Sequence, residues 1–284
     1  MNQSWSLRFL LLGGFVCFFS SFSLLHAQFG DEYLGGEEVL LAETKQVNQF
    51  FRRFNCEESP LGERYYPGDE LYHTPKLREE YLNMLFDQSS RTIDRRSREQ
   101  FINEVMEASD PVYLDFHGGE WFAEVATTFR WQGRDETVIL YMKLEEEEVG
   151  SEWVMTHAYF EPFYRLFDAN GQGAVKPQFI HPLSHELDFM NLIKAFQNGG
   201  YPEIYTEQAY QPDYLTLLFY EIKRGNLSFK TVNQVKFHFF QVDGWYFELS
   251  DINRPGMNRG WLITQLSQLE PGNKDLLLKY IYRR

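Results

Sequence analysis

The sequence predicts an α+β fold made of two successive domains, each with helices followed by a curved antiparallel sheet. Apolar residues recur at helical spacing, then alternate as they do in strands, and this order occurs twice along the chain. The chain has 284 residues, 43% of them hydrophobic, which suits two cores of ordinary domain size. The predicted boundaries are 1–27 for a signal peptide, 28–160 for the first domain, 161–183 for a linker and 184–284 for a second, smaller domain.

The N-terminal segment has the composition of a secretory signal peptide. Arg8 precedes an apolar stretch from Phe9 to Leu25, and the segment ends at Ala27, which Gln28 follows. The stretch is shorter than the roughly 20 apolar residues of a membrane-spanning helix, which disfavours the alternative of an uncleaved anchor. We therefore expect cleavage after Ala27, export, and no stable transmembrane segment in the mature chain.

Three amphipathic helices are predicted in the first domain. The first runs from near Glu37 to Phe54. The second begins at Thr74 as its cap, with Pro75 in the first turn, a position that suits proline because its missing N–H is not needed there. Ser97 and Gln100 have the spacing of a capping box, which predicts that the third helix begins at Ser97.

An antiparallel meander is predicted next, because the pattern alternates from Val112 to Phe160. The segment Val112–His117 is its first predicted strand. In Trp121–Trp131 the odd positions are apolar, and in Thr137–Leu144 the even positions are apolar. Each of these sets marks the side of its strand that faces the core.

The second domain repeats the order. A helix is predicted from Ser184 to Phe196, and another from near Pro212 to Gly225. The clearest hairpin in the chain spans Val235–Leu249 and turns at Asp243–Gly244. A last strand is predicted at Trp261–Ile263.

Helices followed by a long, bent antiparallel sheet resemble the nuclear transport factor 2-like cone, also called the ketosteroid isomerase-like or cystatin-like fold. The stretches Val47–Asn55, His185–Met190 and Asn258–Ile263 are similar to uncharacterised secreted proteins of Bacteroidota, and Ala27–Gln28 resembles signal-peptide ends of that phylum. This resemblance carries no established activity. It implies an exported protein of a Gram-negative bacterium, in the periplasm or at the cell surface.

One candidate site follows from the polar positions of the predicted sheet. These residues are Tyr113, Asp115, His117, His157 and Tyr159. Asp115 and His117 are two apart on a predicted strand and so point the same way, which lets a carboxylate orient an imidazole for proton transfer. The resemblance to ketosteroid isomerase-like enzymes implies acid–base chemistry on an apolar ligand in a cone pocket. The alternative that we favour is a solvated outer face of the sheet.

A second candidate is the loop Asp251–Gly260, which precedes the last predicted strand. Arg254 and Arg259 make a local positive spot in an acidic chain, and such a spot suits a carboxylate or an acidic partner segment. The favoured alternative is a wide hairpin loop whose arginines pair with nearby acids.

Two patterns imitate metal sites. His181 and His185 are four apart, as in a helical zinc site, but Pro182 lies between them and favours a capping and linker role. Asp168–Gly173 begins like a calcium loop, yet its twelfth position is Phe179 where the loop requires Glu. We predict no metal and no cofactor.

Charge and missing motifs decide the functional prediction. The 41 acidic residues outnumber the 27 basic ones, which argues against binding of nucleic acid, and the sequence has no phosphate loop, nucleophile elbow or HExxH motif. We predict a non-catalytic binding module of the bacterial envelope, whose partner is an envelope protein or a small apolar ligand. The alternatives are an isomerase- or dehydratase-like enzyme that uses Asp115, His117 and His157, and an assembly factor whose sheet edges pair with a partner.

Overall fold

The structure is a computed structural model that describes residues 46–147, 150–167, 180, 182–193, 196, 202–207, 209–256, 258–270 and 272–282. The predicted signal peptide, His181 and the calcium-like stretch 168–173 lie outside these residues. Within the described ranges, no helix has the length and apolar character needed to cross a membrane.

Within the described residues, six antiparallel strands form one sheet in the order β3-β2-β1-β4-β5-β6. They are β1 (Trp121–Trp131), β2 (Arg134–Glu147), β3 (Gly150–Tyr159), β4 (Leu227–Phe239), β5 (Trp245–Ile252) and β6 (Gly260–Gln268). Strand β1 pairs with β4 along its whole length, with Trp121 opposite Phe239 and Trp131 opposite Leu227. The predicted α+β class is confirmed. The division into two domains is not confirmed, since strands of both halves join in one sheet.

The alternation in the sequence identifies the core-facing side of the strands. Val125 lies opposite Leu140, so the odd positions of β1 and the even positions of β2 share one face, as predicted. In the predicted hairpin, Phe239 lies opposite Phe247, and their rings stack with centroids 4.7 Å apart. Both patterns are therefore confirmed.

The described part of the chain has the α-helices α1 (Val47–Asn55), α2 (Pro75–Met84), α3 (Arg95–Val105), α4 (Glu161–Leu166), α5 (Tyr214–Lys223) and α6 (Asn273–Tyr282). Pro75 occupies the first turn of α2, as predicted. The predicted cap of α3 at Ser97 is wrong, because Asp94 is the N-cap and its carboxylate accepts hydrogen bonds from the backbone N–H of Ser97 at 2.9 Å and from its hydroxyl at 2.6 Å. Helix α6 was not predicted.

The helix predicted from Ser184 to Phe196 is not continuous in the structure. Its described part contains two short 3₁₀ helices, Pro182–Leu187 and Met190–Leu192. Between them Asp188 and Phe189 have φ values of 49° and 53°, in the left-handed region that a right-handed helix cannot include.

The segment Val112–His117 is not a strand. Side chains from distant parts of the chain, and not a neighbouring strand, form hydrogen bonds with its backbone. The Asn55 side-chain amide accepts a hydrogen bond from the Leu114 N–H at 2.8 Å and donates one to the Leu114 carbonyl at 2.9 Å. The Gln241 side-chain amide likewise accepts from the Asp115 N–H at 3.0 Å and donates to the Asp115 carbonyl at 2.7 Å.

Two clusters of buried side chains lie on one face of the sheet. The larger joins α1, α2 and α3 to β1, β4, β5 and β6 and includes Phe50, Phe101 and Phe247. The smaller joins α4 and α5 to the first three strands and includes Phe129 and Leu218. Helices of the first predicted half therefore pack on strands of both halves.

Candidate functional site

A cavity of about 610 Å³ lies between α1, α2 and the loop that joins β5 to β6. We call it the arginine pocket, because Arg53, Arg254 and Arg259 line it. Its volume lies within the range of about 300–1,000 Å³ that is typical of small-molecule sites. Among the described residues, its lining contains no carboxylate side chain.

Arg53 forms the inner end of the arginine pocket. Its side chain is 4% exposed, and its Nη2 lies 3.5 Å from Glu58 and donates to the Pro60 carbonyl at 3.3 Å. Glu58 also accepts a hydrogen bond of 2.5 Å from Arg52. Burial lowers the pKa of Arg53, but a guanidinium still keeps its proton in a protein. Glu58 thus lies between the guanidinium groups of Arg52 and Arg53.

Tyr81 adds a neutral hydroxyl beside Arg53. Its hydroxyl lies 3.1 Å from that of Tyr65, and both tyrosines are buried. Burial, together with this hydrogen bond, raises the pKa of Tyr81, so the phenol stays protonated at neutral pH. Arg53 and Tyr81 line the same cavity. The inner end therefore combines a cation with a hydrogen-bond donor.

Arg254 builds the outer wall of the arginine pocket. Its Nη1 lies 2.8 Å from the Asp87 carboxylate, its Nε donates to the Asn258 carbonyl at 2.8 Å, and it also contacts the Ser89 hydroxyl and the Asn258 amide oxygen. All three guanidinium nitrogens bond to the protein itself. Arg254 therefore holds the β5–β6 loop in place, and Arg259 lines the same wall.

Asp87 and Asn258 also hold the β5–β6 loop against the end of α2. Burial by itself would raise the pKa of Asp87, but hydrogen bonds from Arg254 and Ser89 lower it below its usual value of 3.8. The Asn258 amide donates to the carbonyls of Met84 at 3.1 Å and Phe86 at 2.8 Å. The end of α2 and the β5–β6 loop are thus joined into one wall.

The predicted pair Asp115 and His117 lies in the turn before β1. The Asp115 carboxylate accepts a hydrogen bond from the backbone N–H of His117 at 2.9 Å. In the imidazole, Nδ1 lies 3.2 Å from Glu146 and 3.3 Å from the Ser151 hydroxyl. Because one nitrogen makes both contacts, it cannot accept a proton from Ser151 while it donates one to Glu146.

Tyr113 lies in a stack of aromatic and cationic groups. Its ring is 4.0 Å from that of His73, and the Arg78 guanidinium lies 4.3 Å from its centre. His73 in turn lies 3.1 Å from the Glu57 carboxylate. These contacts place Tyr113 in the packing around α2.

His157 and Tyr159 meet at Tyr164, on α4. His157 is 4% exposed and shares a hydrogen bond of 2.9 Å with the Tyr164 hydroxyl, and the Tyr159 ring lies 4.6 Å from that of Tyr164. Ser151, which contacts His117, lies six residues before His157 on β3, or roughly 20 Å along the strand. His157 and Tyr159 therefore lie apart from Asp115 and His117.

A partly buried polar group on the opposite face of the sheet was not predicted. His238 has Nδ1 2.7 Å from the Tyr246 hydroxyl and Nε2 3.2 Å from the Glu124 carboxylate. The hydrogen bond from His238 lowers the pKa of Glu124. Burial raises the pKa of Tyr246.

Arg53 and Tyr81 are the site residues that the sequence prediction missed. Arg53 lies three positions after Phe50 and one before Phe54, among the apolar residues of α1. The signal available in the sequence was a charged residue at helical spacing from the buried Phe50 and next to the buried Phe54. Arg254 and Arg259 were identified in advance as a positive loop, and both line the pocket.

The part of the chain that the structure describes contains no group of three His, Cys, Asp or Glu side chains that suits a metal ion. The chain was compared with protein-family models, curated proteins and solved structures, and none of them matches it. The resemblance to the nuclear transport factor 2-like cone therefore stays a prediction.

Proposed function

We propose that this protein is an exported, non-catalytic ligand-binding module, whose ligand is an organic anion held in the arginine pocket. The observation that carries this proposal is the set of three arginines around one cavity of about 610 Å³ in a chain of net charge −14. Positive charge concentrated in a concave site attracts anions, even on an acidic protein. The apolar surface for the rest of the ligand comes from Tyr81, Met84, Leu85 and Leu262.

The residues of the pocket favour binding over catalysis. Its described lining holds no histidine, carboxylate or thiol, the side chains that most often act as general bases. An arginine does not give up its proton, and Tyr81 stays neutral because burial raises its pKa. Such a site can neutralise and orient an anion, but it offers no group of suitable pKa to move a proton.

A fluorescence titration with 8-anilinonaphthalene-1-sulfonate, an anion with an apolar body, tests the proposal. The variant Met84→Trp places an indole in the pocket lining, and we expect it to weaken binding at least tenfold. The control is Met155→Trp on β3, because Met155 is 43% exposed and Met84 is 41% exposed. Equal binding by both variants, or the absence of saturable binding to the unchanged protein, would contradict the proposal.

A further inference from the structure

We infer that a second cavity, on the polar face of the sheet, binds an uncharged ligand with several hydroxyl groups, that is, a carbohydrate or a similar polyol. The cavity has a volume of about 480 Å³ and is lined mainly by residues of β4, β5 and β6. We call it the polar groove. It shares no described lining residue with the arginine pocket, so this inference does not rest on the proposed function.

The register of the sheet brings charged and hydroxyl side chains together in the polar groove. Lys236 on β4 lies opposite Ser250 on β5, and Glu248 lies two positions before Ser250. The residues between them in sequence or next to them, Phe237 and Leu249, belong to the larger core cluster. Because side chains alternate along a strand, Lys236, Glu248 and Ser250 share the other face.

Glu248 is the centre of a hydrogen-bond network in the polar groove. The residue is only 7% exposed, and the Lys236 ammonium lies 3.1 Å from its Oε1. The hydroxyls of Ser250 and Thr264 lie 3.3 and 3.4 Å from the same oxygen. Among the described residues, none donates a hydrogen bond to the other carboxylate oxygen, Oε2. A ligand hydroxyl that donates to Oε2 gains a charge-assisted hydrogen bond, which is about twice as strong as a neutral one.

Side chains at the rim of the polar groove provide further donors and acceptors. Gln234, Asp251, Gln265 and Ser267 line the groove, and their side chains form no hydrogen bond with another described residue. An amide and a hydroxyl both donate and accept, whereas a carboxylate accepts. A ligand can therefore bind these groups without first breaking hydrogen bonds within the protein.

The chemistry of the lining favours a neutral, hydroxyl-rich ligand. One ammonium, of Lys236, and two carboxylates, of Glu248 and Asp251, give the described lining a net charge of −1, which repels anions. A hydroxyl both donates and accepts, so a polyol uses the carboxylates and the ammonium together, whereas a cation only donates. The aliphatic side chains of the described lining are those of Ile252 and Leu266, so an apolar ligand would bury little surface here.

An NMR titration of the isotope-labelled protein with neutral disaccharides tests the inference. The probes are maltose, lactose, cellobiose and sucrose, and we expect at least one of them to shift amide signals of β5 and β6 in a saturable way. The permethylated form of that sugar, which has no O–H donor, and a sulfated form, which is an anion, should each bind at least about tenfold more weakly. No saturable shift with any of the sugars, or equal binding of the permethylated form, would overturn the inference.

Glu248→Gln tests the proposed acceptor. It replaces the carboxylate by a neutral amide of the same shape, so we expect the sugar to bind about tenfold more weakly. The control is Glu145→Gln, because Glu145 also lies 3.1 Å from a lysine ammonium, that of Lys143, but does not line the groove. Unchanged sugar affinity in a folded Glu248→Gln protein would overturn the inference.

Gln265→Ala decides the matter if Glu248→Gln does not fold. Gln265 is exposed on β6, so its truncation leaves the core intact, and we expect several-fold weaker binding of the sugar. Gln268→Ala is the control, since Gln268 is exposed on the same strand and lies outside the described lining. Equal sugar binding by these two variants would overturn the inference.

The two proposals fail separately. Met84→Trp should block 8-anilinonaphthalene-1-sulfonate and leave sugar binding unchanged, whereas Glu248→Gln should weaken sugar binding and leave the binding of the anion unchanged. Loss of sugar binding in Met84→Trp would place the sugar in the arginine pocket and overturn this inference. Failure of the anion to bind would contradict only the proposed function.

Discussion

Arg78 donates a hydrogen bond from Nε to the carbonyl of Phe54 at 3.0 Å, so a buried guanidinium closes the C-terminal end of helix α1. The same side chain, which is 1% exposed, reaches the Val105 carbonyl at the end of α3 at 3.4 Å and also contacts the Val112 carbonyl. Helix C-termini carry partial negative charge, which compensates the cation. Arg78, on α2, therefore joins that helix to the C-terminal ends of α1 and α3.

Arg78→Met should lower the free energy of unfolding by about 3 kcal/mol, because it leaves buried carbonyls without a donor. The control is Arg95→Met, since the Arg95 side chain is 85% exposed and its ion pair with Glu99 is worth little. Urea denaturation of both variants measures the difference. Similar losses in the two variants would contradict the structural role assigned to Arg78.

Asn258→Ala should weaken the wall of the arginine pocket. It removes the hydrogen bonds to the Met84 and Phe86 carbonyls, so we expect a loss of about 2 kcal/mol in stability and several-fold weaker binding of 8-anilinonaphthalene-1-sulfonate. Asn253→Ala, at an exposed position of the same loop, is the control. Chemical denaturation and the fluorescence titration give the two readouts. Unchanged binding by a folded Asn258→Ala protein would show that this wall is not needed.

The ion pair of Asp87 with Arg254 predicts a pH dependence. The pKa of Asp87 in the folded protein lies below its usual value of 3.8, so its stabilising contribution is fully present above that value. As the pH falls below 3.8 and through the folded pKa, this contribution is lost. Asp87→Asn should thus cost about 2 kcal/mol at pH 7 and progressively less below pH 3.8.

Urea denaturation from pH 7 down to pH 3 checks this prediction. Asp110→Asn serves as the comparison, because Asp110 is exposed. A difference between wild type and Asp87→Asn that stays constant over the whole range would refute the assignment.

The proposed export predicts a specific N-terminus. The full chain, expressed in a Gram-negative host, should appear in the envelope or the medium with Gln28 as its first residue. Mass spectrometry of the purified protein measures this directly. A protein that retains residues 1–27 in the cell membrane would favour the uncleaved anchor instead.

Much of the sheet was predictable because alternation is a local property. The strands around Val125 and Phe247 follow from residues two apart, and their burial agrees with the pattern. The pairing of β1 with β4 was not predictable, since it joins Trp121 to Phe239 across more than a hundred residues. Val112–His117 alternates as well, but its backbone forms hydrogen bonds with the side chains of Asn55 and Gln241. No local sequence pattern indicates those hydrogen bonds.

The candidate site, too, was predictable only in part. Arg254 and Arg259 lie close together in one polar loop, so their charge is visible in the sequence. Arg53 and Tyr81 belong to two different helices, and only the packing of α1 against α2 brings them to one cavity. The catalytic grouping of His117 with His157 depended on a strand before β1 that does not form.

A crystal structure of the protein with 8-anilinonaphthalene-1-sulfonate tests the central claim most directly. We predict that this anion lies in the arginine pocket, with its rings against Met84 and Leu262. An anion bound only outside this cavity would contradict the account.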